Sequence, residues 1–147
     1  MTTPARTVNG RVIGLAHYAG RAVLESVLAR HGATFQQLIT LRPVAVADGP
    51  VGRAELVEDV VHSLKISPAD VETVVEELIG RGLLTAEGST VKITGAGREL
   101  YETTSGETGA ISARIYADIP ADDLAAAGRV LARVTERANA ELAALSA

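Results

Sequence analysis

The sequence predicts a mainly α-helical chain with one short β-hairpin. Three observations carry that expectation. Apolar residues recur at three-to-four spacing through most of the chain. Leu, Ala, Glu and Arg, all good helix formers, fill the long segments. Only residues 83–86 and 90–94, around Glu87-Gly88-Ser89, read as strands joined by a tight turn.

Residues 10–30 carry Val12, Ala16, Ala19, Val23 and Val27 on one helical face, and His31-Gly32 ends that helix. Thr34-Phe35-Gln36-Gln37 is a capping box: the Thr34 hydroxyl takes an orphan N–H and Gln37 reaches back. The helix it starts holds Leu38, Ile39 and Leu41, and Pro43 is expected to kink or shorten it. Asp48-Gly49-Pro50 is a turn. Residues 53–64 form an amphipathic helix with Leu56, Val57, Val60, Val61 and Leu64 on one face. Ser67 caps the next helix, Pro68 takes its first position and Asp70 its third. Val71, Val74, Val75, Leu78 and Ile79 make its apolar face, and Gly82 suits a left-handed stop.

After the hairpin, Thr94 caps a helix from about Gly95 toward Tyr116, weakened by Thr103-Thr104-Ser105-Gly106 and Gly109. Ile119-Pro120-Ala121-Asp122-Asp123 breaks the chain and starts the last helix. There Leu124, Ala127, Leu131, Val134, Ala138, Leu142 and Leu145 form a nearly heptad stripe. The expected plan is five or six helices and one hairpin.

Composition narrows the function. Hydrophobic residues make up 47% of the 147 positions but aromatics only 3%, so the core is built from Val, Leu, Ile and Ala. There is no cysteine, which removes disulfides, thiolate chemistry and cysteine-based zinc sites. His17, His31 and His62 are scattered, with no HExxH pair, GxSxG elbow or P-loop, and GAGREL lacks dinucleotide-binding spacing. No enzymatic activity, cofactor or metal is expected. No apolar run approaches the 18 residues of a membrane span. MTTPARTVNG lacks a signal-peptide core, so a cytoplasmic location is expected. The net charge of −4 and pI near 5.4 argue against bulk, sequence-independent nucleic-acid binding.

Helix, helix, turn, helix, hairpin is the order of a winged helix-turn-helix, whose second turn helix offers its outer face to a DNA major groove. In that order the sequence resembles the MarR family of regulators, named for multiple-antibiotic resistance. TFQQLITLRPVAVADGPVGRAELVEDV is similar to the family's second and third helices. ISPADVETVVEELIGRGLL takes the recognition-helix position, and VKITGAGREL looks like the step out of the wing. The resemblance implies one family-like chain over residues 1–147, with a winged helix-turn-helix lobe at 34–97. Residues 8–31 and 98–147 would be dimerisation helices. It further implies a homodimer on a pseudo-palindromic operator, loosened by a small aromatic or anionic effector. The long C-terminal stripe, with Gly10, Gly14 and Gly20 on the first helix, independently suits dimerisation.

The recognition helix departs from the family, which usually carries Arg or Lys there and an Asp-x-Arg pattern in a longer wing. From Pro50 to Arg98 there are five cations (Arg53, Lys65, Arg81, Lys92, Arg98). Against them stand eight anions (Glu55, Glu58, Asp59, Asp70, Glu72, Glu76, Glu77, Glu87), a net of −3. Helical geometry turns Ala69, Thr73 and Glu76 outward, flanked by Glu72 and Glu77. The candidate base-reading residues are Ser67, Ala69, Glu72 and Thr73 at the helix's N-terminal end. The candidate phosphate contacts are Arg53, Lys65, Lys92 and Arg98. Few cations predict weak binding with a shallow salt dependence. His17, Arg21 and Glu25 form one stripe on the first helix with Tyr18 beside it. His17, Tyr18, Arg21 and Arg42 are the ligand candidates, an exposed ion-pair row being the alternative. Two functions remain open: a ligand-responsive homodimeric repressor binding double-stranded DNA, or an adaptor meeting a protein partner through its acidic helix.

Overall fold

A computed structural model of the chain describes residues 6–147. Residues 1–5, the start of the stretch read as lacking a signal-peptide core, lie outside that description. Among the described residues the order is α1 (Gly10–Ala29), α2 (Phe35–Ala45), β1 (Val51–Gly52), α3 (Arg53–Leu64), α4 (Pro68–Gly80), β2 (Leu84–Glu87), β3 (Thr90–Ile93), α5 (Gly95–Tyr116) and α6 (Ala121–Leu145). These form two compact units, one ending at Gly109 and the other spanning Ala110–Ala147.

Local chemistry sets most boundaries of the first unit. Asn9 caps α1 by accepting the Val12 N–H at 2.9 Å. At α2 the capping box is complete: Thr34 Oγ1 accepts from the Gln37 N–H, and Gln37 Oε1 accepts from the Thr34 N–H, each at 3.1 Å. A cap of this kind contributes about 1 kcal/mol. α2 runs through Pro43 to Ala45, so the proline removes one backbone bond near the end without breaking the helix. Gly82, at φ 72°, closes α4: its N–H bonds Ile79, and the Leu83 N–H bonds Leu78. Leu83 is thus held by the helix stop, and β2 begins at Leu84, one residue later than expected.

The core of this unit joins Leu41 and Val44 of α2, Leu56, Val57 and Val60 of α3, and Val71, Val74, Val75 and Leu78 of α4. Leu83, Leu84 and Val91 close it at the hairpin. Each such side chain contributes about 1.5–3 kcal/mol on full burial. Thr40, also fully buried, leaves its hydroxyl without a hydrogen-bond partner.

The sheet holds one strand more than expected. β1 pairs antiparallel with β3 through Val51↔Val91 and Gly52↔Thr90, giving the order β1-β3-β2. Two residues are too short for alternation to register in sequence. α5 is continuous where its threonines and glycines were expected to weaken it. Thr104 Oγ1 donates to the Leu100 carbonyl at 2.8 Å, and Thr108 Oγ1 to the Thr104 carbonyl at 2.9 Å. Both hydroxyls are satisfied on the preceding turn.

Two helices leave apolar surface uncovered. α1 buries only Val27 and Leu28. With a mean hydropathy of 1.2 over its apolar window, it is long and apolar enough to cross a membrane by length and composition alone. Counting consecutive apolar residues missed this because His17, Arg21 and Glu25 interrupt the helix. In the second unit α6 buries nothing, and Leu124, Leu131, Val134 and Leu142 are exposed along it.

Where α5 leaves the hairpin, Gly97 packs so closely that an added methyl would overlap the Leu83 carbonyl and sit 2.9 Å from Ile93 Cγ1. Gly97→Ala is therefore expected to destabilise the fold by about 1–3 kcal/mol through overpacking. Equilibrium urea denaturation should register this as a lower midpoint at unchanged slope.

Candidate nucleic-acid interface

The buried stripe of α4 fixes what its opposite side presents. With Val71, Val74, Val75 and Leu78 in the core, Ala69, Thr73 and Glu76 are exposed and Glu72 is half-buried. Ser67 Oγ accepts the Asp70 N–H at 3.1 Å, so this hydroxyl caps the helix. Thr73 Oγ1 donates to the Ala69 carbonyl at 3.1 Å. That leaves the Thr73 oxygen free to accept and its methyl free to make an apolar contact. Asp70 lies in the first turn, where the helix dipole favours a negative charge.

α3 meets α4 through a tight turn in which Lys65 adopts φ 59°, ψ 38°. This left-handed conformation is uncommon for a side chain with a Cβ. The Lys65 ammonium folds back onto the His62 carbonyl, one of the unsatisfied oxygens at the end of α3.

The wing is β2, β3 and a turn tipped by Gly88 at φ 59°. The Arg53 N–H donates to the Ser89 carbonyl at 2.9 Å, tying this turn to the start of α3. Lys92 is exposed on β3. At the root of the wing, Thr94 Oγ1 donates to the Gly82 carbonyl at 2.6 Å and accepts the Gly97 N–H at 3.0 Å. Arg98 Nη1 reaches the Ala45 carbonyl at the end of α2, 3.4 Å away.

The Arg53 side chain goes elsewhere. Its Nε and Nη2 both donate to Glu72 Oε2, at 3.1 and 2.7 Å, and Nη2 donates to Glu76 Oε1 at 2.5 Å. Bonds to Glu76 and then Glu72 raise the Arg53 pKa further, outweighing the opposing effect of burial. Glu76, turned outward as its helical position predicts, is ion-paired there. Sequence gave no sign of this fork, because its partners lie 19 and 23 positions from Arg53.

Of the ligand candidates, Arg21 alone lines a cleft of about 450 Å³ between α1, α2 and α4. Its Nε donates to Glu25 Oε1 at 2.5 Å, and its guanidinium lies 4.2 Å from the Phe35 ring centroid. Thr34, Gln36 and Glu77 complete the polar wall. His17 and Tyr18 sit on the exposed stripe with ring centroids 6.0 Å apart, and Arg42 is exposed in the last turn of α2. Sequence reasoning assigned none of the other lining residues to a ligand, Phe35 and Glu77 among them. Among the described residues no three His, Asp or Glu side chains group as a metal site.

No family model matches the chain, and no curated protein is similar to it in sequence. Its likeness is to solved structures. One is Staphylococcus aureus MarR in complex with salicylate and kanamycin, 19% identical with a TM-score of 0.76, covering 89% of this chain and 90% of that one. CouR from Rhodococcus jostii, bound to p-coumaroyl-CoA, is 17% identical with a TM-score of 0.73, covering 86% and 90%. The Mycobacterium tuberculosis MarR family protein Rv2887, in complex with DNA, is 22% identical with a TM-score of 0.67, covering 88% and 98%. These likenesses establish the architecture: the chain has the winged-helix fold of the MarR family.

Proposed function

We propose that the protein is a cytoplasmic, homodimeric, ligand-responsive transcriptional regulator that represses through a pseudo-palindromic operator. The observation that carries this reading is the outer face of α4. Its capped N-terminal turn and exposed Ala69 and Thr73 stand beside a hairpin wing, in a fold whose solved examples include a DNA complex. Ala69 and the Thr73 methyl suit a thymine methyl, and Glu72 can accept from cytosine N4. Lys65, Lys92 and Arg98 are the basic side chains for the flanking phosphates, while Arg53, the fourth candidate, is bonded to Glu72 and Glu76.

Exposed apolar residues along α6 support dimerisation, since a solvent-facing Leu and Val stripe of this length calls for a partner. The cleft at Arg21 suits a small aromatic anion. An exposed i,i+4 ion pair contributes only about 0.5 kcal/mol, so an incoming carboxylate can displace Glu25 and stack beside Phe35. The second reading, an adaptor meeting a basic protein surface, is favoured by one observation: Arg53 is engaged by Glu72 and Glu76, which leaves the face acidic.

Fluorescence anisotropy with duplex DNA from beside the protein's own gene, against a scrambled duplex, tests the main reading. Selective binding is expected for the wild type, with a loss of more than about tenfold in Thr73→Glu, where a carboxylate replaces a base contact. Selection from a randomised duplex pool covers distant operators. Failure there as well would favour the adaptor.

Salicylate is expected to weaken operator binding by about 5–150-fold, the range of a 1–3 kcal/mol coupling. Arg21→Ala should remove that response while leaving ligand-free DNA binding intact. Sedimentation equilibrium should give the mass of two chains for the wild type. Leu131→Glu with Leu142→Glu should give the mass of one, with operator affinity lost alongside.

A further inference from the structure

Arg53 holds the first helical position of α3, and its main chain and side chain serve different partners. Its N–H fixes the Ser89 carbonyl of the wing turn, while its guanidinium bonds both Glu72 and Glu76 on the outer side of α4. The Arg53 side chain is 27% exposed, against 45% for Glu72 and 64% for Glu76, so the fork is shielded on its basic side and open on its acidic one. Its three charges sum to −1 beside the base-reading end of α4. Glu72 Oε2 takes both of the donors given to that residue, leaving Oε1 to accept elsewhere.

We propose that Arg53 determines selectivity on this face: Glu72 and Glu76 withhold its guanidinium from the DNA backbone, so generic duplex binds weakly and base contacts decide occupancy. The proposal rests on the DNA-reading function above. Phosphate contacts are independent of sequence and supply nearly all nonspecific affinity. A cation beside the reading helix normally provides such a contact. Here a phosphate must displace two carboxylates already bonded to the guanidinium, and both remain as anions next to the backbone. The fork also steadies Glu72 as an acceptor at the groove-facing end of the helix. Arg53 thus acts as a positioning residue through Glu72.

The test is anisotropy of the full chain on a fluorescein-labelled random-sequence duplex over a salt series. Glu72→Gln with Glu76→Gln is expected to tighten generic binding about tenfold at low salt, and to steepen the log-affinity against log-salt slope by about 0.9, one phosphate contact. Two controls separate unmasking from a mere change in net charge. Glu58→Gln with Asp59→Asn removes the same charge away from the fork and should leave the slope unchanged. Adding Arg53→Gln to the Glu72, Glu76 variant should return the slope to the wild-type value. If the double variant melts early, Glu76→Gln alone should move affinity in the same direction.

An equal slope change in the charge-matched control, or a gain that survives Arg53→Gln, overturns the proposal. Sequence selection from a randomised pool keeps the two claims apart. A wild type that selects a sequence, with no gain in the double variant, sinks the masking of Arg53 and spares the DNA reading. An Arg53-dependent gain in a chain that selects nothing shows the guanidinium masked but overturns both the DNA reading and the role of Arg53 in selectivity. No duplex binding by either protein at the lowest salt rejects both.

Discussion

The first unit depends on one constraint, the burial of a single stripe of α4. Val71, Val74, Val75 and Leu78 pack into the same core as Leu41 and Val44 of α2 and Leu56, Val57 and Val60 of α3. A helix with one buried face has one rotational setting. Rotating α4 by a single residue, about 100°, would bring Glu72 toward the core and move Val71 outward. The cost would be several kcal/mol from the lost apolar burial and an unpaired carboxylate together. The exposure of Ala69 and Thr73 follows from that packing rather than from anything those residues do. The Schellman closure at Gly82 then turns the chain directly into the hairpin, placing the wing beside the helix whose core face it covers with Leu84 and Val91.

Electrostatics pull against this geometry. The packing presents a helix as a groove reader would need it, yet the helix carries Glu72, Glu76 and Glu77 where cations would strengthen attachment. The structure tempers the conflict locally. Asp70 sits at the positive end of the helix, Glu72 and Glu76 share Arg53, and Glu77 accepts from Gln37 Nε2 at 3.1 Å. Each carboxylate has a structural counterpart, so none stands as an isolated repulsive charge. Three of the four candidate phosphate contacts likewise have partners within the chain. Arg53 is held by acids, Lys65 by the His62 carbonyl and Arg98 by the Ala45 carbonyl. In the proposed regulator, affinity on such a face comes from shape and base contacts more than from charge.

Features that live within one helical turn were legible in the sequence. Ser67-Pro68 and Thr34-x-x-Gln37 mark helix starts because capping uses residues three apart, and both form as read. The apolar face of α4 was legible for the same reason. Features made by distant residues were not. β1 is defined by pairing to residues about forty positions away, with only two residues of its own. The Arg53 fork and the Arg21–Phe35 stack require α3 to meet α4 and α1 to meet α2, which no local pattern encodes. Spacing of i, i+4 and i+8 puts His17, Arg21 and Glu25 on one stripe of α1, but of these only Arg21 and Glu25 line the cleft, which opens at the C-terminal half of α1. Sequence spacing gives a face and not a position along it.

Gln37 shows how the cleft and α4 come to share a wall. It is buried, and its amide is used at both ends: Oε1 accepts from the Thr34 N–H and from Arg81 Nη1 at 3.0 Å, while Nε2 donates to Glu77. The residue that caps α2 therefore also fastens the C-terminal half of α4, through one acid and one base on successive turns. A buried amide satisfied by charged partners resists displacement more than a surface contact does, because freeing it would strand polar atoms. Thr34 and Glu77 both line the cleft, so the start of α2 and the end of α4, tied through Gln37, form one wall of it. In the proposed regulator, that shared wall gives an effector at Arg21 direct contact with α4. Communication then needs no longer relay, since the same helix closes the cleft at one end and reads at the other.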